Sequence, residues 1–174
     1  PPKGLMVLQY LHDEQILAFA EYTHPIDFYT NLYAITETSI FRYDFVNGEF
    51  DNYPIYSGLP ASVGPVAVVP WYDRVYVSKK GGKLVRLQFG QATEVEGAPG
   101  ARYAVNSNSH LMLAYLTEGS AEVPTRLRWS DLYSPEAFAI SEESEADAFD
   151  LEATDESISG LSYQRGVNLI YTRN

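Results

Sequence analysis

The chain has 174 residues, 45% hydrophobic and 20% charged, proportions that suit one folded domain and exclude wholesale disorder. Twelve basic against 23 acidic residues leave a formal charge of −11, which excludes phosphate-backbone binding as the main task and leaves only transient, non-specific proximity to DNA. With no cysteine, disulfides, thiolate metal sites and cysteine nucleophiles are excluded together.

Aromatic residues reach 14%, and the excess is tyrosine, with 14 copies; such side chains favour half-buried pleated surfaces. The chain opens Pro1-Pro2-Lys3-Gly4, without initiator Met or signal-peptide pattern, and reads as a piece of something longer. No apolar run approaches the roughly 20 residues that span a bilayer, so no membrane insertion is expected.

The first predicted strand is the apolar run Ile16–Tyr22, read as buried and ended by His24-Pro25. Leu32–Thr36 and Ile40–Phe45 follow as two β-rich runs, with Asn47-Gly48 as a tight turn before Phe50. A similar unit recurs as Val66–Val69, a Pro70–Asp73 turn, Arg74–Ser78, a Lys79–Gly82 turn, and Leu84–Phe89. A third runs through Ala101–Val105, an Asn106–Ser109 turn, Leu111–Leu116 and Thr125–Trp129. A fourth opens at Ile158–Tyr163, turns at Gln164–Gly166 and stops inside Val167–Tyr171.

The second strands of these units begin at Leu32, Val75, Leu111 and Val167, separated by 43, 36 and 56 positions. That spacing centres on the roughly 40–50 residues of a propeller blade, so the expected fold is all-β, built of β-propeller-like repeats of antiparallel meander sheets. A β-sandwich with similar hairpins is the competing architecture. The expected units are residues 14–60, 61–98, 99–156 and an incomplete 157–174, too few for a closed ring of about 4–8 blades. The whole of 1–174 is therefore expected to be one incomplete propeller or a fragment of one. Helical signal is confined to Glu142–Ala148, which lacks an apolar stripe.

Eight acids, Glu142, Glu143, Glu145, Asp147, Asp150, Glu152, Asp155 and Glu156, fall in a stretch without a base and carry −8 of the −11. Three readings stand: a solvated loop, a channel or interface surface that repels DNA, and a calcium loop. The last lacks the alternating ligands and central glycine of an EF-hand. Common catalytic motifs are missing, and His12, His24 and His110 are scattered, so the chain reads as no enzyme and no cofactor is expected. A carboxylate pair for glycoside hydrolysis is not placeable from sequence. Trp71 and Tyr72 are candidates for stacking on sugar rings, against the alternative of ordinary cross-strand packing.

Arg126-Leu127-Arg128-Trp129-Ser130-Asp131, followed by Pro135-Glu136-Ala137-Phe138, alternates as a strand with one buried face and then supplies turn chemistry. The segment resembles the R-[IVL]-R-W-S-D…P-E-x-[WF] pattern of bacteriophage tail nozzle, or packaged-DNA stabilisation, proteins. Phe149-Asp150-Leu151 and Ile158-Ser159-Gly160-Leu161 fit the strands that follow it there, so the likeness covers about Thr125 to Tyr171. Phe138 stands where that family more often has Trp. The resemblance implies a β-propeller structural protein of the virion, assembled in the bacterial cytoplasm. It further implies a homo-oligomeric ring beside other tail and adaptor proteins, which plugs the exit channel and becomes the conduit for DNA ejection. The alternative functions are a carbohydrate- or receptor-binding propeller module and, third, a propeller glycosidase.

Overall fold

The computed structural model describes residues 10–26, 28–61, 64–151 and 156–173. Every regular element among them is a strand, and the strands form several antiparallel sheets. The first sheet contains β1 (Tyr10–Leu11), β2 (Glu14–Thr23), β3 (Thr30–Thr36), β4 (Ser39–Asp44) and β5 (Glu49–Phe50) in chain order, with β6 (Tyr56–Ser57) also on β4. The second contains β7 (Val66–Trp71), β8 (Arg74–Lys79), β9 (Val85–Gln88) and β10 (Gln91–Glu94). The third contains β11 (Gly100–Ser107), β12 (His110–Glu118), β13 (Ala121–Trp129) and β14 (Asp147–Asp150). The fourth is a hairpin of β15 (Ser157–Gln164) and β16 (Val167–Arg173). No closed barrel or propeller forms among the described residues.

Neighbours in sequence pair in space, as short turns require. Gly48, Gly81 and Gly166 sit at turns with φ of 74°, 79° and 82°, a region that suits glycine. Asn108 and Ser109 take the β11–β12 turn at positive φ, so β11 continues through the expected turn residues Asn106 and Ser107.

Three apolar cores lie between the four sheets in series. Ala20, Tyr22, Tyr33, Ile35 and Ile40 meet Val75, Val77, Val85 and Leu87 in the first. Val69, Tyr76 and Leu84 meet Leu111, Leu113, Leu116 and Phe138 in the second. Met112, Ala114 and Leu127 meet Ile158, with Leu161 packed alongside, in the third. The period-two alternation of a strand explains this order: on β8, Val75 and Val77 face one core and Tyr76 the other. On β12, Leu111 and Leu113 face the second core and Met112 and Ala114 the third. A register shift between Ala114 and Leu116, with Tyr115 at φ 55°, returns Leu116 to the second core.

Two expectations change. The Ile16–Tyr22 run is only half-buried, with Phe19 49% exposed, because its outer face has no sheet against it. Lys79, expected in a turn, is the last residue of β8 and is 1% exposed; its ammonium donates to the Glu37 carbonyl at 2.6 Å. In keeping with its missing apolar stripe, the 142–148 stretch forms no helix, and Asp147 opens β14.

Candidate functional site at the junction of the second and third sheets

The Arg126–Phe138 segment runs from β13 into the loop that leads towards β14, and most of its charged and polar side chains are engaged. Arg126 makes two parallel bonds to Asp150, each 2.7 Å, and donates a third to Glu118. Arg128 donates to the Phe138 carbonyl at 2.6 Å, and the Trp129 indole N–H to the Glu145 carbonyl at 2.9 Å. Ser130 closes on the start of β12: its amide donates to the Leu111 carbonyl, and its hydroxyl accepts from the Leu111 amide. Asp131 Oδ1 accepts the amides of Leu132 and Glu145, which holds its carboxyl below the ordinary aspartate value. Buried Pro135 shapes the turn in which the Ala137 amide reaches the Ser134 carbonyl.

That turn delivers two side chains to the second sheet. Phe138, 2% exposed, fills the second core. Glu136 Oε1 accepts from the Tyr76 hydroxyl at 2.8 Å, Arg74 Nη1 at 3.0 Å and Arg86 Nη1 at 3.1 Å. The strands make this convergence: Tyr76 on β8 lies directly opposite Arg86 on β9, and Arg74 lies two positions along the same face. Asp73 completes the cluster, taking Arg74 and the Gln88 amide. The Trp71 indole and the Tyr76 ring meet in a T-shaped contact, so Trp71 belongs partly to the core, while neighbouring Tyr72 is 78% exposed.

The electrostatics of the cluster are those of a closed ion network. Burial pushes the Glu136 carboxyl up, but hydrogen bonds from Tyr76 and Arg74 and the Arg86 charge outweigh it and hold the group below its ordinary value. Asp73 is also lowered, chiefly by the Arg74 hydrogen bond. Burial, reinforced by Glu136, raises the Tyr76 hydroxyl. A general acid working near neutral pH needs a raised carboxyl, and both carboxylates here move the other way.

Other polar contacts join the remaining sheets. The Tyr56 hydroxyl donates to Glu94 at 2.9 Å, and burial pushes that phenol up to about 12. The Ser78 hydroxyl donates to the Ala101 carbonyl at 2.7 Å, and the Tyr163 hydroxyl donates to Asn108 across the third and fourth sheets. At the other end of the second junction an open cleft of ≈ 920 Å³ is bounded by Lys83, Glu94, Glu118, Arg128 and the glycines at 81, 82 and 100. A smaller recess of ≈ 330 Å³ lies between His110, Met112, Trp129 and Asn168.

The acidic stretch does not act as one block. Asp150 is bound to Arg126, the Glu145 carboxylate lies 3.6 Å from His110, and Asp147 accepts the Ala148 amide. Glu142 and Glu143 are exposed and Glu156 is half-buried, while Glu152 and Asp155 lie outside the described residues. Among the described residues, no three His, Asp or Glu side chains group as a metal site. His12 stacks on Phe41 and His24 on Tyr29, far from His110. No helix long and apolar enough to cross a membrane is present among the described residues.

Sequence reasoning singled out the segment that holds Glu136 and Phe138 but did not link it to Arg74, Tyr76 and Arg86, which lie 50 to 62 positions away. No local pattern links them; the cue available was Arg74 and Tyr76 two apart on one strand and Arg86 on the next. No family model matches the chain, and no curated protein matches it.

Proposed function

We propose that the chain is a non-enzymatic structural module whose stacked sheets form part of a propeller-like wall in the tail channel of a bacteriophage virion. In this reading the four sheets are successive blades of an incomplete propeller, and copies assemble as a ring with other tail and adaptor proteins. The ring retains packaged DNA and later conducts it. The observation that carries the reading is the use made of the R-L-R-W-S-D…P-E-A-F segment: Glu136 and Phe138 tie the second sheet to the third, and the Glu136 carboxylate is taken up by two arginines and a tyrosine. A wall under pressure from packaged nucleic acid needs joints of this kind, with paired ions and a buried aromatic plug, more than it needs a cleft with a free acid. The exposed Glu142 and Glu143 suit a surface to which DNA does not adhere.

The test is electron microscopy of particles carrying a tagged copy of the protein. Label at a ring in the tail is the expected result. A protein absent from particles, or hydrolysis of a glycoside lost on Glu136→Gln, overturns the reading.

A further inference from the structure

Half-buried arginines in this molecule are paired with carboxylates, and Arg102 is the exception. Arg42, Arg74, Arg86, Arg126 and Arg128 each pair with an Asp or Glu. Arg102, on β11, has no hydrogen-bond acceptor among the described residues, and its Nε is buried. Its guanidinium carbon lies instead 5.4 Å from the centroid of the Tyr103 ring and 5.5 Å from that of Tyr115. Lys80, which follows the last residue of β8, brings its ammonium within 5.1 Å of the same Tyr115 ring. The carboxylate beside them is Glu122, which pairs with Lys80 at 3.0 Å and accepts the Tyr115 hydroxyl at 3.2 Å. Lys80, Arg102 and Glu122 sum to one positive charge on a chain of −11. A buried donor without an acceptor is costly, and a tyrosine at φ 55° is a backbone outlier. Returning Leu116 to its core explains the bulge, but glycine or asparagine would make that bulge with less strain. The ring that Tyr115 contributes seats both cations at the junction of the second and third sheets.

We propose that Arg102 and Lys80 form a binding site for one phosphate group. The planar fork of Arg102 takes two phosphate oxygens, and the Lys80 ammonium takes a third. A tetrahedral phosphate has oxygens enough for both cations, whereas a planar carboxylate spends its two on the fork. Glu122 keeps 48% of its side chain in solvent, so the ligand takes Lys80 from it without uncovering a buried charge. Free phosphate and the phosphodiester of a nucleic acid share this chemistry. A single contact of this kind is compatible with a net charge that opposes binding along a nucleic-acid backbone. The site rests on the unpaired guanidinium and the strained tyrosine, and stands independently of the tail reading.

The test titrates inorganic phosphate into the full 174-residue chain at neutral pH and constant ionic strength, followed by the NMR signals of the arginine Nε–H groups. Saturation with a Kd of about 1 mM or tighter is expected, with the Arg102 signal moving most. Arg102→Gln and Lys80→Gln should each weaken binding at least about tenfold, while Arg165→Gln, in the exposed β15–β16 turn, leaves it unchanged. Arg102→Lys keeps the charge and most of the stem but loses the fork, so it should weaken binding even if the glutamine variant folds poorly. Acetate should bind at least about tenfold more weakly than phosphate. A second arm uses a short DNA duplex. Duplex binding that disappears with Arg102→Gln assigns the phosphate to a nucleic-acid backbone, and phosphate binding without duplex binding assigns it to a free phosphate. A titration that does not saturate by about 10 mM, acetate as effective as phosphate, or equal effects of Arg102→Gln and Arg165→Gln each overturns the proposal.

Discussion

The Glu136 carboxylate accepts the Tyr76 hydroxyl at 2.8 Å across 60 positions of sequence, and the same oxygen takes Arg74 and Arg86. Removing the carboxylate leaves two guanidinium groups facing one another and a buried phenol without its acceptor. Because Glu136 keeps about a third of its side chain in solvent, Glu136→Ala is expected to cost about 1–3 kcal/mol rather than the larger loss of a fully buried pair. Tyr76→Phe is expected to cost about 0.5–1.5 kcal/mol. Urea unfolding of both single variants and the double variant checks this, and the two effects should be non-additive because they share one oxygen.

Phe138 fits a closed core site. Truncation to Ala is expected to cost about 3–5 kcal/mol, as for other buried aromatics. Phe138→Trp adds volume beside Leu111 and Leu113 and is expected to cost about 1–3 kcal/mol through overpacking. A Trp variant as stable as the parent, measured by thermal unfolding, rules out tight packing at this position.

Acid is expected to loosen the fold through groups whose folded pKa is lowered. Burial raises the Glu14 carboxyl, but hydrogen bonds from Thr36, Thr38 and Ser39 outweigh it and leave it below its ordinary 4.5; Glu136 behaves alike. A lowered folded value means that the stabilisation is fully present above pH 4.5 and is lost as pH falls through the folded values. The thermal midpoint should therefore be flat from neutrality to about pH 5 and then fall. Glu14→Gln should flatten part of that fall, with the parent chain as reference.

Gly100 opens β11 where the third sheet meets the turn of the second. A Cβ there would lie 1.8 Å from the Gly82 carbonyl oxygen, a backbone atom without freedom to withdraw. Gly100→Ala is expected to cost more than about 4 kcal/mol or to prevent folding. Gly97→Ala, three positions earlier at φ 74° with open space around it, should cost only about 1–2 kcal/mol from backbone strain. Expression and far-ultraviolet circular dichroism of the two variants distinguish collision from strain.

Strands and hairpins were legible because alternation and turn chemistry are local: Asn47-Gly48 and Gly81-Gly82 announced their turns, and Val75–Ser78 its strand. The burial of Lys79 was not, since a lysine before Lys80-Gly81-Gly82 looks like part of the turn, and the carbonyl it reaches is 42 positions away. The acidic stretch misled for a related reason. Its local count of charges gave no sign that Asp150 is taken by Arg126 or that Glu145 neighbours His110. Glu136 stood in a segment with evident strand and turn chemistry, yet its partners are set by how β8 and β9 are aligned, which is decided by pairing between strands rather than within them.

The strands β8 and β12 each line two cores at once, through alternate residues. A strand in that position serves as a party wall: its neighbours on both sides lose their lining if it leaves. Fluctuations that open the molecule must therefore begin at its outermost sheets and travel inward, and amide hydrogens on β8 and β12 should be the last to exchange.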